Sequence, residues 1–264
     1  MIDTVLVFEG QGARTIPAQT DDGEPIELAS LTPAEAQTAI VRHQVARARP
    51  WRDRGTCAVM GQSLGEISAL VVAGCLGLDD ALALVHLRAE LPAELVAPRD
   101  WTMASLTRVS PESATGAATD LDLWVIGANG PADCIVTGTA DSFVTLRERL
   151  GLTPTTYREL PVVHPYHTPH MRPVADAMAD ALAAIDVADP EVPVISPTGP
   201  RAVPDAATAR AVLVEALVSP VAWSTALACA ASEWPDAAWR ECGPSASLYR
   251  FVWKNGLTLD WAEA

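Results

Sequence analysis

The chain has 264 residues, 49 % of them hydrophobic and 19 % charged, and a formal net charge of −15. That length suits one large domain, or one domain carrying an insertion, with enough apolar material for a core. Such acidity excludes duplex nucleic-acid binding as a main role, because that affinity comes from Lys and Arg.

No apolar stretch reaches the ~20 residues needed to cross a bilayer, so no membrane association is expected. The N-terminal MIDTVLVFEG has no basic region ahead of its short apolar run, unlike a secretory leader. Cys57, Cys75, Cys134, Cys229 and Cys242 are scattered without a CxxC pair. They argue against a zinc site and a disulfide framework and fit a reducing cytosol, so the expected location is cytoplasmic.

In chain order, Thr4 to Phe8 is an apolar, strand-like run. Asp21-Asp22-Gly23-Glu24-Pro25 is a polar loop. Thr32-Pro33-Ala34-Glu35 is a capping box with proline at the first helical position. It opens a helix through about Arg47, which Pro50 stops soon after. Cys57 to Met60 predicts a second strand. Asp79 and Asp80 supply acidic residues to the start of a helix from Ala81 to about Glu90. From Trp101 to Leu160 the pattern becomes strand, helix, strand, strand, helix, which suggests a small ferredoxin-like unit. Pro173 to Ile185 predicts another helix, and Val192 to Ile195 another strand. Short strands alternating with longer helices predict a parallel α/β sheet, with the ferredoxin-like unit inserted into it. The expected division is residues 1–98 and 163–264 for the large body and 99–162 for the insert.

Gly61-Gln62-Ser63-Leu64-Gly65 follows the second strand and precedes a helix-like run. It is either an ordinary tight turn or a nucleophile elbow, in which glycines allow close backbone contacts around an exposed serine. A serine nucleophile needs a base and oxyanion donors. His43 and His86 lie in helix-like segments, whereas His164, His167 and His170 cluster in the proline-rich loop VHPYHTPHM. Loops present catalytic residues. H-x2-H-x2-H in such a loop lacks the regular facing of a metal helix, so no metal is expected. Phe8-Glu9-Gly10-Gln11-Gly12 follows the first strand. It is an incomplete phosphate fingerprint, or else a turn that aims a backbone N–H into a cleft.

GQGA, GQSLGE and PYHTPHM, taken in this order, resemble the malonyl-CoA:acyl-carrier-protein transacylases and the acyltransferase domains of polyketide and fatty-acid synthases. Asn129-Gly130-Pro131, Ser219-Pro220-Val221-Ala222-Trp223 and Glu241-Cys242-Gly243-Pro244 extend the resemblance over nearly the whole chain. It implies an α/β-hydrolase-like large subdomain with an inserted ferredoxin-like small subdomain. It implies Ser63 as nucleophile, His167 as general base and the N–H groups of Gln11 and Leu64 as oxyanion hole. The backbone carbonyl of Ala222 would orient the base. Arg88, twenty-five residues after Ser63, matches the arginine that forks onto a malonyl carboxylate. A solvated helix arginine is the other reading.

Gln62, Asn129, His164 and Tyr166 are implied substrate-binding positions. Leu64 and the HPYH stretch resemble malonyl-type rather than methylmalonyl-type members, and Tyr166 would crowd an α-methyl. The implied reaction moves malonyl from malonyl-CoA to the phosphopantetheine thiol of an acyl carrier protein, acting in trans, without a cofactor beyond the substrates. Monomer is the expected state. The alternatives are transfer of an unusual or carrier-bound acyl group, hydrolytic editing of a carrier, and, last, a non-catalytic docking protein. An acidic carrier would meet Arg52, Arg54, Arg172, Arg250 or Lys254, unless these are scattered solvated charges. Three features depart from the family pattern: Gln62 in place of His, Glu9 in place of Pro, and a shorter segment between Gln11 and Thr32. Glu9 would repel a malonyl carboxylate unless it pointed to solvent.

Overall fold

Val5, Leu6, Val7 and Phe8 are fully buried, and this unbroken apolar run is a central strand. The computed structural model describes residues 1–17, 24–54, 56–199 and 201–264. Its first elements are β1 (Thr4–Phe8), β2 (Thr15–Ile16), β3 (Ile26–Glu27), α1 (Pro33–Arg52), β4 (Cys57–Gly61), α2 (Leu64–Val72) and α3 (Leu78–Leu95). Next come β5 (Trp101–Thr107), α4 (Pro111–Ala117), β6 (Leu123–Gly130), β7 (Asp133–Thr139), α5 (Ala140–Leu150) and β8 (Tyr157–Leu160). The chain ends with α6 (Arg172–Leu182), β9 (Val194–Ser196), β10 (Arg201–Ala202), α7 (Ala206–Glu215), α8 (Trp223–Glu233), β11 (Ala238–Glu241), α9 (Tyr249–Lys254) and β12 (Asp260–Glu263).

Six strands form the larger sheet in the order β10-β9-β4-β1-β11-β12. All pairings are parallel except β10 with β9, so the expected parallel α/β body is present. The second sheet has the order β6-β7-β5-β8 and is antiparallel throughout, with α4 and α5 in the crossovers. That is the ferredoxin-like arrangement, inserted between α3 and α6 of the α/β-hydrolase-like body. Alternation along β5 divides its duties: Ala104 and Leu106 join the small core with Phe143 and Leu146, while Met103 and Ser105 face the opposite side.

Several elements differ from expectation. β8 was not foreseen; it pairs with β5 from Met103↔Leu160 to Leu106↔Tyr157 and completes the small sheet. Pro50 does not stop α1, which runs on to Arg52. Asp53 N–H donates to Arg49 O at 3.0 Å and closes the last turn beyond the proline. α3 likewise contains Pro92 and reaches Leu95. β9 begins at Val194 rather than Val192, because Pro193 has no N–H for the ladder; its carbonyl still accepts from Val59 at 2.9 Å. α6 ends at Leu182, short of Ile185. The Thr32–Glu35 capping box is formed as predicted, with Thr32 N–H donating to the Glu35 carboxylate at 2.9 Å.

Asp21 to Gly23 lie outside the described residues. Among the described residues no helix is long and apolar enough to cross a membrane. Four of the five cysteines are buried, and Cys229 is exposed.

Candidate active site

Ser63 sits where β4 ends and α2 begins, with φ 55° and ψ −114°. A non-glycine residue at positive φ costs of order 1–3 kcal/mol, so the surroundings must hold it there. The glycines explain how. A Cβ on Gly61 would stand 2.1 Å from Gly65 O, and one on Gly65 would stand 2.3 Å from Phe8 O. The elbow therefore packs backbone on backbone against the end of β1, and the strained turn, not the ordinary one, is what the motif encodes. Leu64 is the first residue of α2, and N–H groups of a first helical turn have no intrahelical acceptor. Gln62 N–H donates to Phe8 O at 2.8 Å, and a Cβ on Gly10 would stand 3.4 Å from Ser63 Cβ. The Gly10–Gln11 turn thus lies directly against the serine.

His167, also at positive φ (65°), places Nε2 2.7 Å from Ser63 Oγ. Its Nδ1 lies 3.2 Å from the backbone carbonyl of Ser219. A carbonyl only accepts, so Nδ1 carries the proton and Nε2 is left to accept from Ser63. The expectation of Ala222 as the orienting carbonyl is thereby corrected. Ala222 O is occupied by Ala226 N–H at 3.0 Å in the first turn of α8. Ser219 instead follows the end of α7, where carbonyls lack helical partners, and His167 N–H is tied to the same turn through Leu217 O at 2.8 Å. Burial, and secondarily the Arg88 cation, push His167 down from its ordinary value to about 4.

Arg88 is buried on α3, which decides against the solvated reading. Its guanidinium donates to Gln37 Oε1 at 2.5 Å, reaches Ser63 Oγ at 3.4 Å and stacks 4.2 Å from the Tyr166 ring centroid. Tyr166 Oη–H in turn donates to Arg88 O at 2.9 Å. Among the described residues Arg88 has no carboxylate partner. Burial lowers its pKa, the mark of a cation poorly compensated by its surroundings.

Gln62 Nε2 donates to Asn129 Oδ1 at 2.9 Å, and both residues line the cavity beside Ser63. His164 does not line that cavity. Its ring meets that of Tyr166 edge-on, with centroids 6.1 Å apart. His170 is wedged against Trp101 and Trp124 at 4.9 and 4.7 Å, where it joins the two subdomains. Among the described residues no group of three or more His, Cys, Asp or Glu is arranged to hold a metal.

Glu9 points neither into the cavity nor to solvent. It is 1 % exposed, and its carboxylate accepts from Ser245 N–H at 2.7 Å, from Ser247 Oγ–H at 2.6 Å and from Ser245 Oγ–H. The feared repulsion of a substrate carboxylate is replaced by a tie between the Gly10–Gln11 turn and the cavity-lining loop 244–247 ahead of α9. Glu9→Ala removes three hydrogen bonds to partly exposed donors, each worth about 0.5–1.5 kcal/mol net. A lowered thermal midpoint is expected, and an unchanged one in a calorimetric scan would contradict this tie.

These groups open into one cavity of about 650 Å³ between the two sheets. Met103, Ser105, Ile126 and Ile135 of the small sheet form one wall. Arg14, Arg158 and Arg250 stand exposed at its rim. Of the five cations named from sequence for carrier docking, only Arg250 lines the cavity. Arg52 is bound to Glu191 and Val72 O, Arg54 stacks on Trp51 at 4.3 Å, and Lys254 is paired with Asp133. Arg172 begins α6 away from the cavity. Sequence reading missed Arg14, Arg158 and Gln37; no local pattern marks them.

The acyl transferase domain family matches residues 30–251. The chain belongs to the acyl transferase domain family. This acyl transferase domain is 30 % identical over 199 residues to the non-reducing polyketide synthase terA of Aspergillus terreus, covering 75 % of this chain. It spans only 9 % of that synthase's length. It is also 30 % identical to the malonyl CoA-acyl carrier protein transacylase of Salmonella typhimurium, covering 85 % of this chain and 84 % of that protein. In fold it is similar to the acyl carrier protein S-malonyltransferase of Vibrio cholerae, with TM-score 0.85 and 24 % identity over 99 % of this chain and 96 % of that one.

Proposed function

We propose that this acyl transferase domain moves a malonyl group from malonyl-CoA to the phosphopantetheine thiol of an acyl carrier protein through an ester on Ser63. The observation that carries this reading is the buried guanidinium of Arg88, without a carboxylate partner among the described residues, 3.4 Å from the same oxygen that His167 approaches at 2.7 Å. A free carboxylate on the acyl group supplies the missing partner.

Ser63 Oγ attacks the thioester carbonyl while His167 Nε2 takes its proton. The Ser219 carbonyl, bonded to Nδ1–H, holds the ring and favours the imidazolium as it forms. The Gln11 and Leu64 N–H groups receive the oxyanion, each worth roughly 3 kcal/mol in comparable sites. Collapse expels the CoA sulfur, which takes the proton from Nε2. The carrier thiol then attacks the ester, His167 takes the thiol proton, and collapse returns Ser63 with that proton. Every step uses side chains and amides of this chain.

The direct test is incubation with malonyl-CoA followed by intact mass and peptide mapping. A malonyl adduct on Ser63 that a carrier thiol discharges is the expected result; no adduct, or one mapped elsewhere, would sink the proposal. pH supplies a second check. With its pKa at about 4, His167 is neutral and ready to accept across the neutral range. Acylation kcat/KM is therefore expected to stay flat from pH 8 down to roughly 5 and to fall only near the lowered value. An acid limb at the ordinary histidine value in a pH–rate profile would contradict it.

A further inference from the structure

A second, smaller cavity of about 220 Å³ opens beside the mouth, between the small sheet and α9. It shares Ser105, Arg158, Arg250 and Phe251 with the main cavity, so the two are lobes of one cleft. Its charges are unbalanced. Arg158, Arg250 and Lys254 line it with a single carboxylate, Asp133, which Lys254 already holds. Among the described residues neither Arg158 nor Arg250 has a carboxylate partner. The Arg250 guanidinium rests 4.8 Å from the Phe251 ring centroid. Although the residue as a whole is exposed, partial burial of its guanidinium, and then the neighbouring Arg158, lower its pKa against the opposing pull of Asp133, Glu241 and Glu9. In a chain with 33 acidic against 18 basic residues, two neighbouring arginines lining one lobe with no carboxylate ion-paired to either are a local positive site that an anion would fill.

The anion is not the acyl carboxylate, because Arg88 beside Ser63 occupies that end of the cleft. The lobe continues the cleft away from Ser63, on the side where the far end of a pantetheine thioester held at Ser63 would lie. That end carries phosphate, and a guanidinium fork matches phosphate oxygens bidentately. We infer that the Arg158–Arg250 lobe binds a phosphate ester of the pantetheine-bearing substrate, an inference that rests on the thioester-transfer reading above. Three phosphates have this chemistry in CoA: the one attached directly to pantetheine, which a carrier also presents, and two on the adenosine portion.

The experiment measures half-saturation for Ser63 acylation by malonyl-CoA, malonyl-4′-phosphopantetheine and malonyl-pantetheine, which has no phosphate. Wild type is compared with the Arg158→Gln/Arg250→Gln double variant and with Arg172→Gln, a single charge change outside the lobe. The expected result for the double variant is a half-saturation at least tenfold higher for malonyl-CoA, an unchanged maximal rate, and no change for malonyl-pantetheine. Arg172→Gln should match wild type. If malonyl-4′-phosphopantetheine follows malonyl-CoA, the bound phosphate is the one on pantetheine; if it follows malonyl-pantetheine, the bound phosphate is on the adenosine side. An equal shift for all three donors, or for none, overturns the inference. Wild type that accepts no donor overturns the thioester reading itself, which separates the two failures. Arg158→Lys and Arg250→Lys keep the charge without the fork and should fall between wild type and the double variant.

Discussion

Ser63→Ala is expected to abolish the acyl adduct, and His167→Ala to slow its appearance by about 10²–10⁴-fold, the range of a positioned general base. The geometry sets this order. In the proposed mechanism Ser63 Oγ is the atom that forms the ester, so its loss leaves no site for the acyl group. His167 only raises the reactivity of that atom, through a 2.7 Å contact to Oγ. Without the imidazole, Oγ keeps its place against the Gly10–Gln11 turn and the start of α2, and slow acylation through the oxyanion donors remains. The double variant should be no worse than Ser63→Ala, because the two residues act as a unit. Rapid-quench intact-mass time courses read all three. An adduct on Ser63→Ala, or a His167→Ala rate equal to wild type, would remove the dyad from the mechanism.

What was legible in the sequence follows from how local each constraint is. The elbow is local: Gly61 and Gly65 are there because a Cβ on either would strike backbone within 2.3 Å, so the motif announces its own geometry. The parallel body is legible because β1 and β4 are unbroken apolar runs buried along their whole length. β8 was illegible because it is an edge strand reading Tyr-Arg-Glu-Leu, with half-buried ends and exposed charges. Missing it hid Arg158, whose position on the cavity side depends on the register with Ser105. The orienting carbonyl was misplaced for a different reason. Every residue offers a carbonyl, so nothing in the side chains separates Ser219 from Ala222; only the end of α7 does. Glu9 shows the limit of distance in sequence. Its partners Ser245 and Ser247 lie 236 and 238 residues away, and neither end carries a sign of the other.

Arg88→Ala is expected to exchange one acyl preference for another. On the proposed reading a malonyl carboxylate pairs with the wild-type guanidinium, while an acetyl group leaves it buried and unpaired. Truncating one partner of a buried, hydrogen-bonded charge pair costs about 2–5 kcal/mol, a loss of roughly thirty- to several-thousand-fold in kcat/KM for malonyl-CoA. Acetyl-CoA loses no such bond, so its rate should hold or rise, and the malonyl-to-acetyl ratio should fall at least thirtyfold. Arg88→Lys keeps the charge without the planar fork and should recover only part of the ratio. The same substitution has a second, independent effect. The Arg88 cation helps to depress His167, so its removal raises the His167 pKa from about 4 towards the ordinary value. The acid limb of the pH–rate profile should therefore move to higher pH in Arg88→Ala for either donor. A ratio that falls together with a limb that rises assigns Arg88 both a grip on the acyl carboxylate and an influence on the base. Equal losses for malonyl and acetyl with a displaced limb would leave only the second, and Arg88 would then be a positioning residue for the dyad rather than the group that selects the substrate.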